Sequence, residues 1–138
     1  MSAPFVHEIR VRWGECDPQG IVFNATYVAY FDDAIGGLWR EAFGSYAAMT
    51  ERGLDMVVAE LNVNYRGSAR PEETIRIEVS VERFGETSLG TRLDVLRDDE
   101  LLIEGRIRYV FLDTKTWQKA AIPEWVRDAL APYEAEEA

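Results

Sequence analysis

The chain has 138 residues, 47% of them hydrophobic and 12% aromatic, enough for one core without disulfide or metal staples. A net charge of −10, from 25 acidic and 15 basic side chains, repels phosphate backbones and anionic lipid and speaks against nucleic-acid or membrane partners. One cysteine (Cys16) and one histidine (His7) exclude an internal disulfide, a cysteine-based metal site and the histidine triads, leaving carboxylates, hydroxyls, amides and backbone to carry any chemistry.

The first segment alternates Phe5, His7, Ile9, Val11 and Trp13 against Glu8, Arg10 and Arg12, the period of a strand with one buried face. It carries no leader-like apolar run, and no stretch approaches the length of a membrane span, so one cytoplasmic domain over 1–138 is expected. Residues 25–43 change period. Tyr27, Tyr30 or Phe31, Ala34, Leu38 and Ala42 recur at helical spacing, and Val28, Ile35, Trp39 and Phe43 cover much of the rest. A helix apolar on so many sides is buried. Gly36-Gly37 within it marks a close approach to a sheet, and Asn24 stands where an N-cap is expected.

Four further strands follow. Val57, Ala59, Leu61, Val63 and Tyr65 are expected on one face, opposite Glu60, Asn62, Asn64 and Arg66. Ile75 to Val81, Leu89 to Val95 and Leu101 to Phe111 then form a meander of antiparallel hairpins, with turns at Phe84-Gly85-Glu86 and Arg97 to Glu100. Pro123 opens a short terminal helix. The order predicts an α+β fold: one long buried helix wrapped by a five- or six-stranded antiparallel sheet.

Gly14 to Asn24 is the segment that folding alone does not explain. It joins the first strand to the helix, whose first-turn amides lack intrahelical acceptors and stand at the positive end of its dipole. A carbonyl oxygen placed there meets the conditions of an oxyanion hole. Asp17, seven residues before Asn24, can fold back toward that point, either to attack a carbonyl or to activate a water; the competing role is that of a turn former before Pro18. Cys16 has no histidine nearby in sequence to activate it and reads as a small buried residue.

Asp17-Pro18-Gln19-Gly20-Ile21-Val22-Phe23-Asn24-Ala25-Thr26-Tyr27, continuing to Tyr30-Phe31-Asp32-Asp33-Ala34, resembles the 4-hydroxybenzoyl-CoA thioesterase family of hotdog-fold proteins, and the resemblance spans essentially the whole chain. It implies an acyl-CoA thioesterase that uses neither metal nor redox cofactor. Asp17 would be nucleophile or general base, and the amide of Asn24, aided near Gly20 or Phe23, would hold the thioester oxygen. It also implies substrate contacts from Gly20, Phe23, Tyr27, Asn62, Thr87 and Ser88, an acyl pocket shaped by Trp13, Phe23, Tyr27 and Tyr30, and a homodimer or homotetramer with the site at the subunit interface. The family tends to place basic residues in the turn that here reads Arg83 to Ser88, where this chain has Gly85 and Glu86 instead. An acyl-CoA-binding module without turnover and an acyl carrier protein thioesterase are the alternative readings.

Overall fold

The apolar helix expected over 25–43 forms α1 (Thr26–Phe43), with Tyr27, Tyr30, Phe31, Ala34, Ile35, Leu38 and Trp39 all buried. The computed structural model describes residues 2–135. Around α1 wraps a five-stranded antiparallel sheet of β1 (Phe5–Arg10), β2 (Leu54–Tyr65), β3 (Thr74–Phe84), β4 (Ser88–Arg97) and β5 (Glu100–Asp113), in the order β1-β3-β4-β5-β2. A short helix, α2 (Tyr46–Thr50), precedes β2, and α3 (Glu124–Leu130) begins directly after Pro123 as expected.

The alternation in β3, β4 and β5 places Ile75, Ile77, Val79, Val81, Leu89, Leu93, Val95, Ile107 and Phe111 in the core against α1. Two glycines set how closely helix and sheet approach. A Cβ on Gly37 would stand 2.9 Å from the Phe5 ring, as the sequence suggested for this glycine pair, whereas Gly36 meets only the Arg40 side chain at 3.5 Å. The tighter contact lies across the sheet, where a Cβ on Gly105 would stand 2.6 Å from Phe31 Cζ.

Three expectations fail here, each for a local reason. The first strand ends at Arg10, and Trp13 sits 70% exposed in a 3-10 turn, because the Glu15 carboxylate takes the Arg12 N–H at 2.8 Å and turns the chain. Asn24 does not cap α1: the N-cap is Ala25, with no side-chain bond. The second strand has no buried face over most of its length. Among the described residues β2 is an edge strand that pairs only with β5, a bulge between Val58 and Glu60 breaks its alternation, and Val58 and Tyr65 are about half exposed. The twelve-residue strand has no partner on its outer side among the described residues and exposes Val57, Val58, Leu61 and Tyr65, a template for another strand.

The two ends of the sheet gather different residues. One gathers Arg10, Thr74, Arg97, Glu100 and Tyr65, the last opposite Ile103; the other gathers Phe5, Phe84, Ser88, Asp113 and Leu54. α1 runs from the first end toward the second. Between α1 and β2 lies a groove of about 230 Å³ lined by Asp32, Ile35, Gly36, Tyr46, Met56, Val58 and Tyr109. The Tyr109 hydroxyl is buried there with no partner among the described residues. Burial, with Asp32 and Tyr46 close by, pushes its ionisation upward. Tyr109→Phe is therefore expected to raise the unfolding free energy by about 1 kcal/mol, since an unsatisfied buried hydroxyl costs more than the phenyl ring that replaces it. Thermal melts check this, and a lower Tm would show that the hydroxyl has a partner.

Candidate active site

The chain from Trp13 to Ala25 folds as a miniature hairpin across the first end of the sheet. Cys16 bridges Val22 in antiparallel fashion, the Phe23 N–H donates to the Glu15 carbonyl at 3.0 Å, and the Asp17 N–H donates to the Ile21 carbonyl at 2.9 Å. The tip is a four-residue turn closed by the Gly20 N–H on the Asp17 carbonyl at 2.9 Å. Gly20 has φ +78, a left-handed conformation that favours glycine, although a side chain would meet no neighbour there. Asp17 Oδ1 accepts the Gln19 N–H at 2.8 Å, so the turn former and the candidate catalyst are the same residue. Among the described residues no donor reaches Oδ2.

The hairpin is pinned from three sides by tyrosines. The Tyr30 hydroxyl donates to Glu15 Oε1 at 2.9 Å, and burial together with that carboxylate pushes the phenol well above its ordinary range. The Tyr27 hydroxyl accepts the Ala69 N–H at 3.1 Å, while the Ala69 carbonyl accepts the Val22 N–H at 2.9 Å. The Tyr65 hydroxyl, reaching over from the β2 edge, donates to the Asn24 carbonyl at 2.9 Å. Tyr27 stacks edge-on against both Tyr30 and Tyr65, with centroids 5.8 and 6.0 Å apart. One aromatic cluster thus fixes the helix entry.

With these bonds made, the backbone amides of Asn24 and Ala25 have no acceptor among the described residues. They stand at the start of α1, where the helix dipole favours negative charge. The Tyr65 bond orients the Asn24–Ala25 peptide plane, because a peptide's C=O and N–H point in opposite directions. Asp17, at the closed end of the hairpin, and Asn24, just past its open end, lie three ladder positions apart, about 10 Å at strand spacing.

The other expected contacts are dispersed. Phe23 is 48% exposed beside the helix entry, whereas Tyr27 and Tyr30 are core residues. Asn62 lies on the exposed β2 edge opposite Arg106. Thr87 and Ser88 belong to the far end of the sheet: Ser88 pairs with Val110, and the interval from Ile103 to Val110 is about 23 Å along β5. Within one subunit they do not meet Asp17. Cys16 is half-buried, and burial, with Glu15 and Asp17 alongside, pushes its thiol up and away from thiolate chemistry.

Sequence reasoning did not single out Glu15, Tyr65 or Ala69. Glu15 had a signal, an acid three residues after Arg12 that reaches back to that residue's N–H. Tyr65 and Ala69 act through partners more than 40 positions away and left no local mark.

A model of the thioesterase-like superfamily matches residues 11–130. The chain belongs to that superfamily. The acyl-CoA thioester hydrolase YbgC of Escherichia coli O6:H1 is 27% identical to this superfamily member over 117 residues, covering 84% of this chain and 87% of the relative. The long-chain acyl-CoA thioesterase FadM of Escherichia coli K12 is 26% identical over 126 residues, covering 89% and 94%. The thioesterase superfamily structure from Jannaschia sp. CCS1 superposes with a TM-score of 0.90 at 22% identity, over 96% of this chain and 94% of that one. The thioesterase-like fold is thus the hotdog arrangement, with α1 as the filling and the five strands as the wrap. None of the described helices is long and apolar enough to cross a membrane.

Proposed function

We propose that this chain hydrolyses acyl-CoA thioesters to a carboxylate and free coenzyme A. The observation that carries the reading is the helix entry itself, where two unpaired amides are held at the start of α1 beside a hairpin that presents the Asp17 carboxylate. The thioester carbonyl fills the interval between them, its oxygen toward the Asn24 and Ala25 amides and its carbon toward Asp17. As charge develops on that oxygen, two donors without an acceptor among the described residues are at hand to take it up, which is where an oxyanion site gains its effect. Asp17 either attacks the carbon, giving an anhydride that water opens, or removes a proton from the attacking water; the thiolate leaves in both routes.

The open β2 edge supports a dimer formed through antiparallel β2–β2 pairing, the base unit of a homodimer or homotetramer. A two-fold axis there sets the Tyr65 end of one copy beside the Leu54 end of the other. That arrangement returns Thr87 and Ser88 to the site from the second copy, at the end of the sheet they occupy. The groove beside Tyr109 follows α1 away from the helix entry and suits the acyl group.

Thiol release from a panel of benzoyl-, phenylacetyl-, short- and long-chain acyl-CoAs tests the reading and ranks the acyl groups. Binding of these esters without release would favour the non-catalytic module instead. Release from acyl carrier protein esters alone would assign the third reading, against the like charge of two acidic proteins. Tyr65 provides a finer test. Tyr65→Phe removes only the hydrogen bond to the Asn24 carbonyl, so kcat should fall about tenfold while KM and oligomeric state hold. An unchanged kcat would show that the peptide plane is held without it.

A further inference from the structure

Two features of the groove between α1 and β2 weaken the fold, and packing within the chain explains neither. The Tyr109 side chain is 3% exposed and lines the groove, yet its hydroxyl meets no partner among the described residues. A buried hydroxyl without a bond is destabilising, and phenylalanine would fill the same space without it. Gly36 lines the same groove from mid-helix, where glycine weakens α1 relative to alanine. Its neighbour Gly37 admits the Phe5 ring, but a Cβ on Gly36 would meet only the end of the Arg40 side chain, at 3.5 Å. Among the described residues nothing takes up the room that Gly36 leaves or the proton that Tyr109 offers. Both point to a ligand in the groove.

The groove continues a face of α1 that starts at the helix entry. Ala25, Ala29, Asp32 and Gly36 follow one another at helical spacing, and all are exposed or half-exposed. A chain whose thioester oxygen sits at the Asn24 and Ala25 amides can run along this face, over small residues that leave it room. At about 1.5 Å of rise per residue, Asp32 stands about 10 Å and Gly36 about 16 Å beyond Ala25. An extended hydrocarbon advances about 1.3 Å per carbon, from C–C bonds of about 1.5 Å at the tetrahedral angle, so this stretch takes carbons at about eight to twelve. A benzoyl ring ends short of it.

The polar groups of the groove define what those carbons carry. Burial, with Asp32 and Tyr46 close by, pushes the Tyr109 phenol up and keeps it a donor. The Tyr46 hydroxyl already donates to Asp55, which leaves the Asp32 carboxylate as the second polar group of the lining. A hydroxyl suits both, accepting from Tyr109 and donating to Asp32, whereas a keto oxygen or a carboxylate would set its lone pairs against Asp32. Resting on the thioesterase reading above, we propose that Tyr109 is a specificity-determining residue, which selects acyl chains carrying a hydroxyl about eight to twelve carbons along over the plain hydrocarbon of the same length. The bond that Tyr109 makes to this hydroxyl is the one it lacks in the chain alone.

The test compares 10-hydroxydecanoyl-CoA, decanoyl-CoA and 3-hydroxydecanoyl-CoA, the last with its hydroxyl too near the thioester to reach the groove. The wild type is expected to favour the 10-hydroxy ester over decanoyl-CoA by about tenfold in kcat/KM, the worth of one buried hydrogen bond, and to show no such preference for the 3-hydroxy ester. Tyr109→Phe should bring the 10-hydroxy ratio to about one, whereas a role in packing alone would shift all three esters together. Gly36→Ala puts a methyl group into the groove and should lower kcat/KM for decanoyl-CoA relative to butanoyl-CoA by about tenfold. A wild-type ratio near one, a ratio that survives Tyr109→Phe, an equal preference for the 3-hydroxy ester, or an unaltered chain-length profile in Gly36→Ala would overturn the proposal. Dissociation of Gly36→Ala into monomers would also overturn it, by giving the groove to a second copy. If no thioester is hydrolysed, the calorimetric affinities of 10-hydroxydecanoyl-CoA and decanoyl-CoA carry the same comparison. A ratio of about tenfold that is lost in Tyr109→Phe upholds the selection while the hydrolase reading fails, and equal affinities or no binding overturn it.

Discussion

Asp17→Asn is expected to lower kcat/KM for acyl-CoA hydrolysis by about 10²–10⁴-fold with an unchanged Tm. The separation of activity from stability comes from the double role of the side chain. Asparagine keeps an oxygen at the Oδ1 position, so the Gln19 N–H retains its acceptor and the turn through Gly20 stays closed. What it loses is the negative charge and the second oxygen, which no described residue engages. An amide neither attacks a thioester nor removes a proton from water, and the residual rate then reports the oxyanion donors and substrate positioning alone. Thiol release under steady-state conditions measures the loss, and melts of the same preparations measure the fold. A variant as active as the wild type would return Asp17 to its purely structural role at the turn.

Gly105→Val is expected to destabilise the chain by about 3 kcal/mol, lowering Tm by roughly 10 °C, without touching the residues at the helix entry. Gly105 lies mid-strand in β5, opposite Val63 on one side and Leu93 on the other, and its missing side chain is what lets the Phe31 ring reach the sheet. Even a methyl group there would stand 2.6 Å from Phe31 Cζ and 3.0 Å from the Leu93 carbonyl. Phe31 is fully buried, so neither ring nor backbone can give way into solvent. Adding Phe31→Leu to the valine variant should recover part of the loss, since the two residues share one volume. An unchanged Tm for Gly105→Val alone would contradict the close approach.

Where each face of an element met one environment, residue order was enough to read it. β3 alternates cleanly because one face packs on α1 and the other meets water, and α1 shows its period because its apolar side is covered along its length. β2 misled because the rule assumes that apolar residues are buried within their own chain. Its valines, Leu61 and Tyr65 lie along an unpaired edge, and the bulge after Val58 shifts their facing. At the helix entry the Asp17 turn was legible, since Asp-Pro and a glycine three positions on have local meaning. The tyrosine pins were not: Tyr27 and Tyr30 look like any aromatic stripe, and their hydroxyl partners are set by tertiary packing. Asn24 failed as a cap because the hairpin spends residues 22 and 23 on bonds to Ala69 and Glu15 before the helix begins, so its start falls one residue later.

The strand order also dictates when the molecule can be finished during synthesis. β3, β4 and β5 follow one another as hairpins and can zip as they are made, but β2 waits for β5, the last of the described strands to be translated and its sole partner among the described residues. α1 waits longer, having been made before nearly all of the sheet that covers it. A nascent chain stalled ahead of β5 therefore displays Tyr30, Phe31, Leu38 and Trp39 together with a strand that has nothing to pair with, the kind of surface that chaperones bind and neighbouring nascent chains misjoin.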